Sequence, residues 1–408
     1  MKRRVVVTGM AGVTSLGNDW ARVRTNLAAG RTGIRHMSEW ERYGDLNTRL
    51  AGPVTERDWE NTYPRKKARS MGPVSQMAVY ATERALADAG LSGDALLQSG
   101  RVGIAYGSSF GSTEPMKAFA DLMVKGSMRN LTATSYVKMM SHSAAVNIGV
   151  FFGLTGRVIP TSSACTSGSQ GIGYGYEAIK FGQQDVMITG GAEELCPSMA
   201  AVFDSLYATS TRNDAPHLSP RPFDLDRDGL VIGEGAGTLI LEERDHAVAR
   251  GATIYAEIIG FGTNSDGRHI TQPGSDGMQG ALRLALRDAG LEAGQIALVN
   301  GHGTATESGD IAESAATRAV FGSATPYHTL KGHFGHTLGA CGAIEAWLGI
   351  EMMRDGWIVE TANLHTVDAR CGQLDYIVRA PRDMSVEHFM SNNFSFGGIN
   401  TSLIFRKA

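Results

Sequence analysis

The sequence predicts an α/β protein of two similar halves, and three observations predict it. Short β-branched runs alternate with helical stretches from end to end, the pattern of sheets buried beneath helices. The series closes near residue 252 and then starts again with the same logic. The composition allows a large core, because 42% of the 408 residues are hydrophobic and the 51 glycines are spread through apolar segments.

In order, the three valines of Arg4 to Val7 predict the first strand, and the apolar periodicity of Ser75 to Ala89 predicts a helix. Val102 to Tyr106, Val186 to Thr189 and Thr238 to Leu241 read as further buried strands. A charged helix over Glu242 to Gly251 ends this series. Ile254 to Ile259 opens the second, followed by a helix at Gly280 to Ala289, a strand at Ile296 to Asn300 and a helix at Asp310 to Phe321. The halves are therefore placed at residues 1–252 and 253–408. No short period of solenoid type is present in the sequence.

Glycine clusters mark the ends of the strands, where they let backbone approach a ligand or other backbone. Gly233-Glu234-Gly235-Ala236-Gly237 has some likeness to a dinucleotide fingerprint. Its third glycine is wrongly spaced, and Thr238 to Leu241 continues as a strand where that motif needs a helix.

Lys and Arg number 38 against 41 Asp and Glu, a formal charge of -3 that points to neither a nucleic-acid nor a membrane partner. The start Met1-Lys2-Arg3-Arg4 has the basic character of a secretory leader. Its apolar run breaks at Thr8-Gly9, short of the ~7–15 residues such a leader uses. No stretch reaches the ~20 apolar residues of a membrane span, so the chain is expected to be cytoplasmic.

The four cysteines are too few and too widely spaced for a disulfide framework, and no pair has zinc-ligand spacing. Cys165 stands out by its context. In Val158-Ile159-Pro160-Thr161-Ser162-Ser163-Ala164-Cys165-Thr166-Ser167-Gly168 a β-like run stops, small hydroxyl residues turn the chain, and a helix is expected to start near Thr166. A cysteine there faces unpaired N–H groups and the positive end of the helix dipole, which favour the nucleophilic thiolate. The helix carries Gly168, Gly171 and Gly175 on one face, each costing on the order of 1 kcal/mol relative to alanine, so close packing against other backbone is expected. A buried structural cysteine is the alternative. Cys196, Cys341 and Cys371 are read as packing residues, with Cys341 near the site.

Of eleven histidines, two lie on glycine-flanked loops: His302 in Asn300-Gly301-His302-Gly303-Thr304, and His336 in Lys331-Gly332-His333-Phe334-Gly335-His336. Such histidines suit proton transfer or hydrogen bonding to a developing oxyanion. A metal site from His333 with His336, or Asp310 with His302, is the competing reading. The glycine-broken stretch does not supply a helical histidine pair, and no metal is assigned.

With these residues assembled, the sequence resembles the β-ketoacyl-acyl-carrier-protein synthases of the II type, in the thiolase superfamily. The likeness runs nearly end to end, through Ala164-Cys165-Thr166-Ser167-Gly168, Gly190-Gly191-Ala192-Glu193, Ser210-Thr211-Arg212-Asn213, Arg221-Pro222-Phe223-Asp224, both histidine motifs and Asn392-Asn393-Phe394-Ser395-Phe396-Gly397-Gly398. The resemblance implies a thiolase fold, five layers in the order α-β-α-β-α, and a homodimer or a heterodimer with another ketosynthase-like chain.

It also implies the roles. Cys165 accepts an acyl chain from the phosphopantetheine arm of an acyl carrier protein. His302 and His336 support decarboxylation of a malonyl carrier, and Lys331 is the site lysine, paired with Glu345. Backbone N–H groups of Cys165 and Phe396 form the oxyanion hole, with Phe396 also gating the acyl pocket. Thr304 and Thr306 bind the arm, and Phe110 lines the acyl pocket. The basic cluster Arg65, Lys66, Lys67 and Arg69 docks the acidic carrier, and the arm is the only prosthetic group. Each has a plainer reading, as ion pair, core aromatic, strand-end cap or solvated face.

The sequence departs from the family pattern at Phe110, Lys138 to His142, Cys341 and Ile399. These departures imply unusual or shorter acyl groups, as in polyene or polyketide assembly. Two rivals fit less well. A non-catalytic chain-length partner would lack Cys165, and a biosynthetic thiolase would want a second cysteine motif that Cys371-Gly372-Gln373 does not match.

Overall fold

The structure is a computed structural model that describes residues 2–60 and 62–408. In the first half, strands β1 (Val5–Val13), β2 (Val102–Gly107), β3 (Val158–Thr161), β4 (Val186–Glu193) and β5 (Gly235–Glu243) lie in the order β1-β5-β4-β2-β3. In the second, β6 (Ala256–Ser265), β7 (Leu298–Asn300), β8 (Pro326–His328), β9 (Asp375–Tyr376), β10 (His388–Ser395) and β11 (Ile399–Lys407) lie in the order β6-β11-β10-β7-β8-β9.

Setting aside the extra edge strand β9, the two orders are the same, and so are the strand directions. β2 is parallel to β3 and β4, while β5 is antiparallel to β4 and β1. β7 is parallel to β8 and β10, while β11 is antiparallel to β10 and β6. A short antiparallel pairing of β1 with β6, Val5 opposite Ile258, joins the halves into one eleven-stranded sheet.

Helix α1 (Pro73–Asp88) covers the outer side of β1 and β5. Helices α3 (Ser275–Ala289) and α4 (Glu307–Phe321) cover the other end of the layering, with α3 on β6 and β11. Between the halves lie α2 (Ser167–Lys180) and α5 (Cys341–Asp355), which touch each other and strands of both. This is the thiolase arrangement of five layers.

Both central helices are buried around nearly their whole circumference, as their small and apolar sequences require. The expected glycine face of α2 is present. A Cβ on Gly168 would lie 2.9 Å from the Gly339 carbonyl oxygen, one on Gly171 2.8 Å from that of Ala105, and one on Gly175 2.3 Å from the Thr189 methyl. Any larger residue would push the nucleophile's helix off its sheet.

Several strands run further than the β-branched residues alone predict. β1 continues through Gly9 to Val13, β4 through Gly190-Gly191 to Glu193, and β5 begins at Gly235. Gly235 thus begins a strand, and the dinucleotide-loop reading of that segment does not apply. Among the described residues no helix is long and apolar enough to cross a membrane.

Candidate active site

Strand β3 ends at Thr161, a single 3-10 turn covers Ala164–Thr166, and α2 follows at once. The hydroxyl residues knit this turn together. Thr161 Oγ1 donates to the Ser167 carbonyl (2.8 Å), Thr166 Oγ1 to that of Ser163 (2.7 Å), and Ser167 Oγ to that of Ala164 (2.7 Å). Ala164 is held at φ +51°, a left-handed conformation that costs a residue with a Cβ on the order of 1–2 kcal/mol. The reversal sets Cys165 at the head of α2, only 5% exposed.

The electrostatics differ from the expectation that the helix start favours thiolate. Burial pushes the Cys165 thiol up to about 12, outweighing the opposing pull of the Lys331 cation and of the Cys165 and Phe396 backbone N–H groups at the sulfur. Desolvating an anion in a closed site exceeds what a short turn of N–H groups returns. The resting group is the thiol.

His336 Nε2 lies 3.0 Å from Cys165 Sγ. The His302 ring stands nearly perpendicular to that of His336, with centroids 5.0 Å apart. The Leu338 N–H donates to His336 Nδ1 (3.3 Å), and Asn393 Nδ2 donates to His302 Nδ1 (3.4 Å). With both Nδ1 atoms accepting, the neutral rings carry their protons on Nε2. Burial first, and the Lys331 cation second, hold both histidines well below the usual imidazole value. The site therefore presents two neutral N–H donors.

Lys331 Nζ donates to Glu345 Oε1 at 2.5 Å, and neither side chain is more than 3% exposed. Asn393 Nδ2 donates to Glu345 Oε2 at 2.7 Å and so links the pair to His302. Burial works against the ammonium, but the adjacent carboxylate overcomes it and keeps Lys331 charged. Cys341, at the first turn of α5 with Glu345 one turn on, places its Sγ 3.2 Å from the Cys165 carbonyl oxygen.

Three buried carboxylates hold the loops. Glu313 accepts from the backbone N–H groups of His302 (2.6 Å) and Gly303 (2.7 Å). Asp310, weighed from sequence as a metal ligand, instead accepts from Phe223, Thr304 and Ala305 backbone N–H groups. Glu193 Oε2 accepts from Ser109 N–H (2.8 Å) and Gly339 N–H (2.9 Å), tying the Phe110 loop to the turn after His336. Sequence reasoning missed Glu313, Glu193 and Asn393 as supports. Glu193 and Asn393 stand in motifs that carry the resemblance, without a role of their own there, and Glu313 shows only as one polar residue of an amphipathic helix.

His333 turns away, with Nε2 2.9 Å from the Glu360 carbonyl oxygen, so it forms no pair with His336. The ligand atoms of Cys165, His302 and His336 lie within 4.8 Å of one another. The buried Lys331 ammonium beside them opposes a divalent cation there.

A cavity of about 250 Å³ leads to Cys165, His302 and His336, and Thr304, Thr306 and Phe396 line it. The threonine hydroxyls lie 2.9 Å apart, and the Phe396 ring packs 5.3 Å from that of Phe203. Phe396 precedes Gly397 and Gly398 at φ +86° and +70°, a turn between β10 and β11. Phe110 is not brought to this cavity: its loop is pinned by Glu193 and by Lys138, whose carbonyl accepts from Ser112 N–H (2.9 Å), and its side chain is 37% exposed. Arg65, Lys66, Lys67 and Arg69 are exposed on and beside the one-turn helix Arg65–Ala68, away from the cavity lining.

A buried cysteine facing two neutral imidazoles and two backbone donors, between the halves of a thiolase fold, defines a thiolase-type condensing enzyme. Residues 2–247 match the family model for the β-ketoacyl synthase N-terminal domain, and residues 255–365 that for the C-terminal domain. The chain belongs to the β-ketoacyl synthase family. It is 38% identical over 414 residues to the 3-oxoacyl-[acyl-carrier-protein] synthase 2 of Vibrio cholerae, covering 100% of this chain and 99% of the relative. A solved β-ketoacyl synthase from Burkholderia phymatum STM815 is 58% identical with a TM-score of 0.98, each chain covered fully. The solved ishigamide ketosynthase/chain length factor is 30% identical with a TM-score of 0.91, again over 100% of both chains.

Proposed function

We propose that the protein is a 3-oxoacyl-[acyl-carrier-protein] synthase, an acyltransferase that extends a carrier-bound chain by decarboxylative Claisen condensation. The observation that carries this reading is the Cys165 sulfur 3.0 Å from His336 Nε2, with His302 beside it, at the end of a cavity.

In the first half-reaction Cys165 Sγ attacks the thioester carbonyl of an acyl-pantetheine arm. The oxyanion forms against the backbone N–H groups of Cys165 and Phe396, which already point at the sulfur. Collapse expels the pantetheine thiolate, which leaves with the proton of the Cys165 thiol. His336 donates its Nε2–H to the developing cysteine sulfur anion.

In the second, a malonyl carrier enters along Thr304 and Thr306. Its carboxylate leaves as carbon dioxide, and the electrons of the broken C–C bond become an enolate whose oxygen accepts from the Nε2–H groups of His302 and His336. Keeping both imidazoles neutral, the work of burial and of Lys331, preserves them as donors without a competing ion pair to the malonyl carboxylate. The enolate carbon attacks the Cys165 thioester, the same oxyanion hole serves again, and the cysteine thiolate is expelled and takes up one proton. This chemistry calls for no resident metal or redox cofactor, and the arm arrives with the carrier.

The basic cluster from Arg65 to Arg69 is assigned to steering an acidic carrier. The free edge strand β3, with Val158 44% exposed and Val150 83% exposed on the helix beneath it, is assigned to a homodimer contact. A ketosynthase-like partner on the same edge is the alternative, and sedimentation of the purified chain alone separates the two. The working thiol places the enzyme in a reducing compartment, the cytoplasm.

The departures at Lys138 to His142, Cys341 and Ile399 support a preference for unusual or shorter acyl groups in polyene or polyketide-type elongation over long saturated chains. A reading as a non-catalytic chain-length partner is disfavoured by the intact Cys165, His302 and His336. The test is reconstitution with acyl and malonyl carriers. One carbon dioxide released per β-ketoacyl carrier formed supports the proposal, and no condensation product with any acyl carrier refutes it.

A further inference from the structure

A second cavity, of about 480 Å³, is lined by His333 of the one-turn helix Lys331–Phe334 and shares no lining residue with the cavity that ends at Cys165. The loop at residues 30–34, the turn Pro216–Leu218, residues 360–365 and Arg379 form its other walls. It is too large for a single ion and falls in the range of small-molecule sites, about 300–1,000 Å³.

Its polar groups are of two kinds. Arg31 and Arg379 line it and are exposed, and neither has a carboxylate partner among the described residues; Arg31 Nη1 donates only to Asn26 Oδ1 (3.0 Å). His217 and His365 add exposed imidazoles beside them. The second kind is buried. His333 is 1% exposed, its Nε2–H donates to the Glu360 carbonyl (2.9 Å), and its Nδ1 has no partner. Burial holds this imidazole below its usual value, so Nδ1 keeps its lone pair and can only accept. The Glu360 carboxylate also lacks a partner among the described residues, with Oε2 buried.

Two acceptors left without a donor in one cavity call for a cause. Loose packing is not that cause. Gly33 N–H donates to the His333 carbonyl (2.7 Å), Thr329 N–H to Thr361 Oγ1 (3.2 Å) and Asn363 Nδ2 to the Pro220 carbonyl (3.0 Å), while a Cβ on Gly332 would lie 2.8 Å from that of Ala362. The walls are bonded in place around the space.

We infer that this cavity binds a phosphate ester that carries free hydroxyl groups, the chemistry shared by sugar phosphates and nucleoside monophosphates. The forked donors of Arg31 and Arg379 suit the phosphate. The hydroxyls donate to the Glu360 carboxylate and to His333 Nδ1, with the half-buried, unbonded Glu360 side chain turning to admit them. A lone cation is opposed by the two guanidiniums, and a lone inorganic anion leaves both acceptors unpaired. The inference does not rest on the condensation reading, because no part of this ligand enters the Cys165 cavity.

The test is calorimetric titration of the full chain, backed by the shift in its melting temperature, with glucose 6-phosphate, adenosine monophosphate, inorganic phosphate and glucose as probes. At least one ester is expected to bind, with inorganic phosphate and glucose at least about tenfold weaker, since each meets only one of the two kinds of group. Tighter binding of the sugar phosphate or of the nucleotide tells which source supplies the ligand. Arg31→Gln/Arg379→Asn, in which asparagine suits the φ of +67° at position 379, is expected to weaken the ester about tenfold or more. Glu360→Ala is expected to weaken it about fivefold or more. None of these residues belongs to the catalytic centre. An ester affinity unchanged in either variant overturns the inference, and so does the absence of binding by both esters up to about 10 mM, weaker than any affinity assigned to a built site. Inorganic phosphate binding as tightly as the esters also overturns it, leaving an anion site only.

Discussion

Replacing Lys331 with methionine separates its structural from its electrostatic work. The ammonium lies 2.5 Å from Glu345 Oε1 with both groups at most 3% exposed, so the substitution strands a buried carboxylate with Asn393 Nδ2 as its remaining partner. Breaking a buried pair from one side costs about 3–5 kcal/mol. Lys331→Met/Glu345→Gln removes both charges and leaves an acceptor for Asn393, so its stability is expected within about 1–2 kcal/mol of the parent. Urea unfolding of the four-member cycle reads the difference as a coupling of at least about 2 kcal/mol. The catalytic effect persists in the double variant. Lys331 is the second cause, after burial, of the low histidine values. Without it those values rise, the imidazoles protonate at higher pH, and the acid limb of malonyl-carrier decarboxylation moves up. A single variant as stable as the double, or an acid limb that stays in place, would refute this reasoning.

Three further outcomes follow from the same geometry. Burial raises Glu193 from the ordinary 4.5 to about 7, so the folded state loses stability as pH rises through that window; Glu193→Gln should gain about 3 kcal/mol on the parent between pH 4.5 and 8, read by denaturant titration at the two pH values. A Cβ on Gly191 would lie 2.3 Å from the Gly339 carbonyl oxygen, so Gly191→Ala should displace the turn after His336, costing about 1–3 kcal/mol and most of the condensation rate. Reversing the charges of Arg65, Lys66, Lys67 and Arg69 should raise the carrier KM at low salt, an effect that fades towards about 1 M, where screening reaches only ~3 Å; a salt-independent effect would remove the cluster from steering.

The architecture was legible where side chains carried it. β-branched runs located the strands, and a strand, Ala256–Ser265, lies at the restart read at Ile254. The glycine-rich extensions of β1, β4 and β5 were not legible, because isolated glycines read as loops. They are strand because the central helices need the space: a Cβ on Gly12 would meet the Trp347 ring at 2.2 Å, and one on Gly237 the Ala343 carbonyl carbon at 2.7 Å. At the site, the turn into α2 and the glycine-flanked histidines singled out Cys165, His302 and His336 by residue type and context. Glu193 and Glu313 stayed hidden, since a carboxylate that holds backbone N–H groups across the fold leaves no spacing in the sequence. The thiolate expectation for Cys165 was misjudged for a related reason: a sequence shows the start of a helix but not the burial that opposes charge there.

The central claim is that Cys165 carries the acyl group while His302 and His336 serve the malonyl half-reaction. Intact-protein mass spectrometry after incubation with an acyl carrier tests it most directly. The parent, His302→Ala and His336→Ala should each gain one acyl mass, and Cys165→Ala none. An acyl mass on Cys165→Ala, or its absence from both histidine variants, would contradict the account.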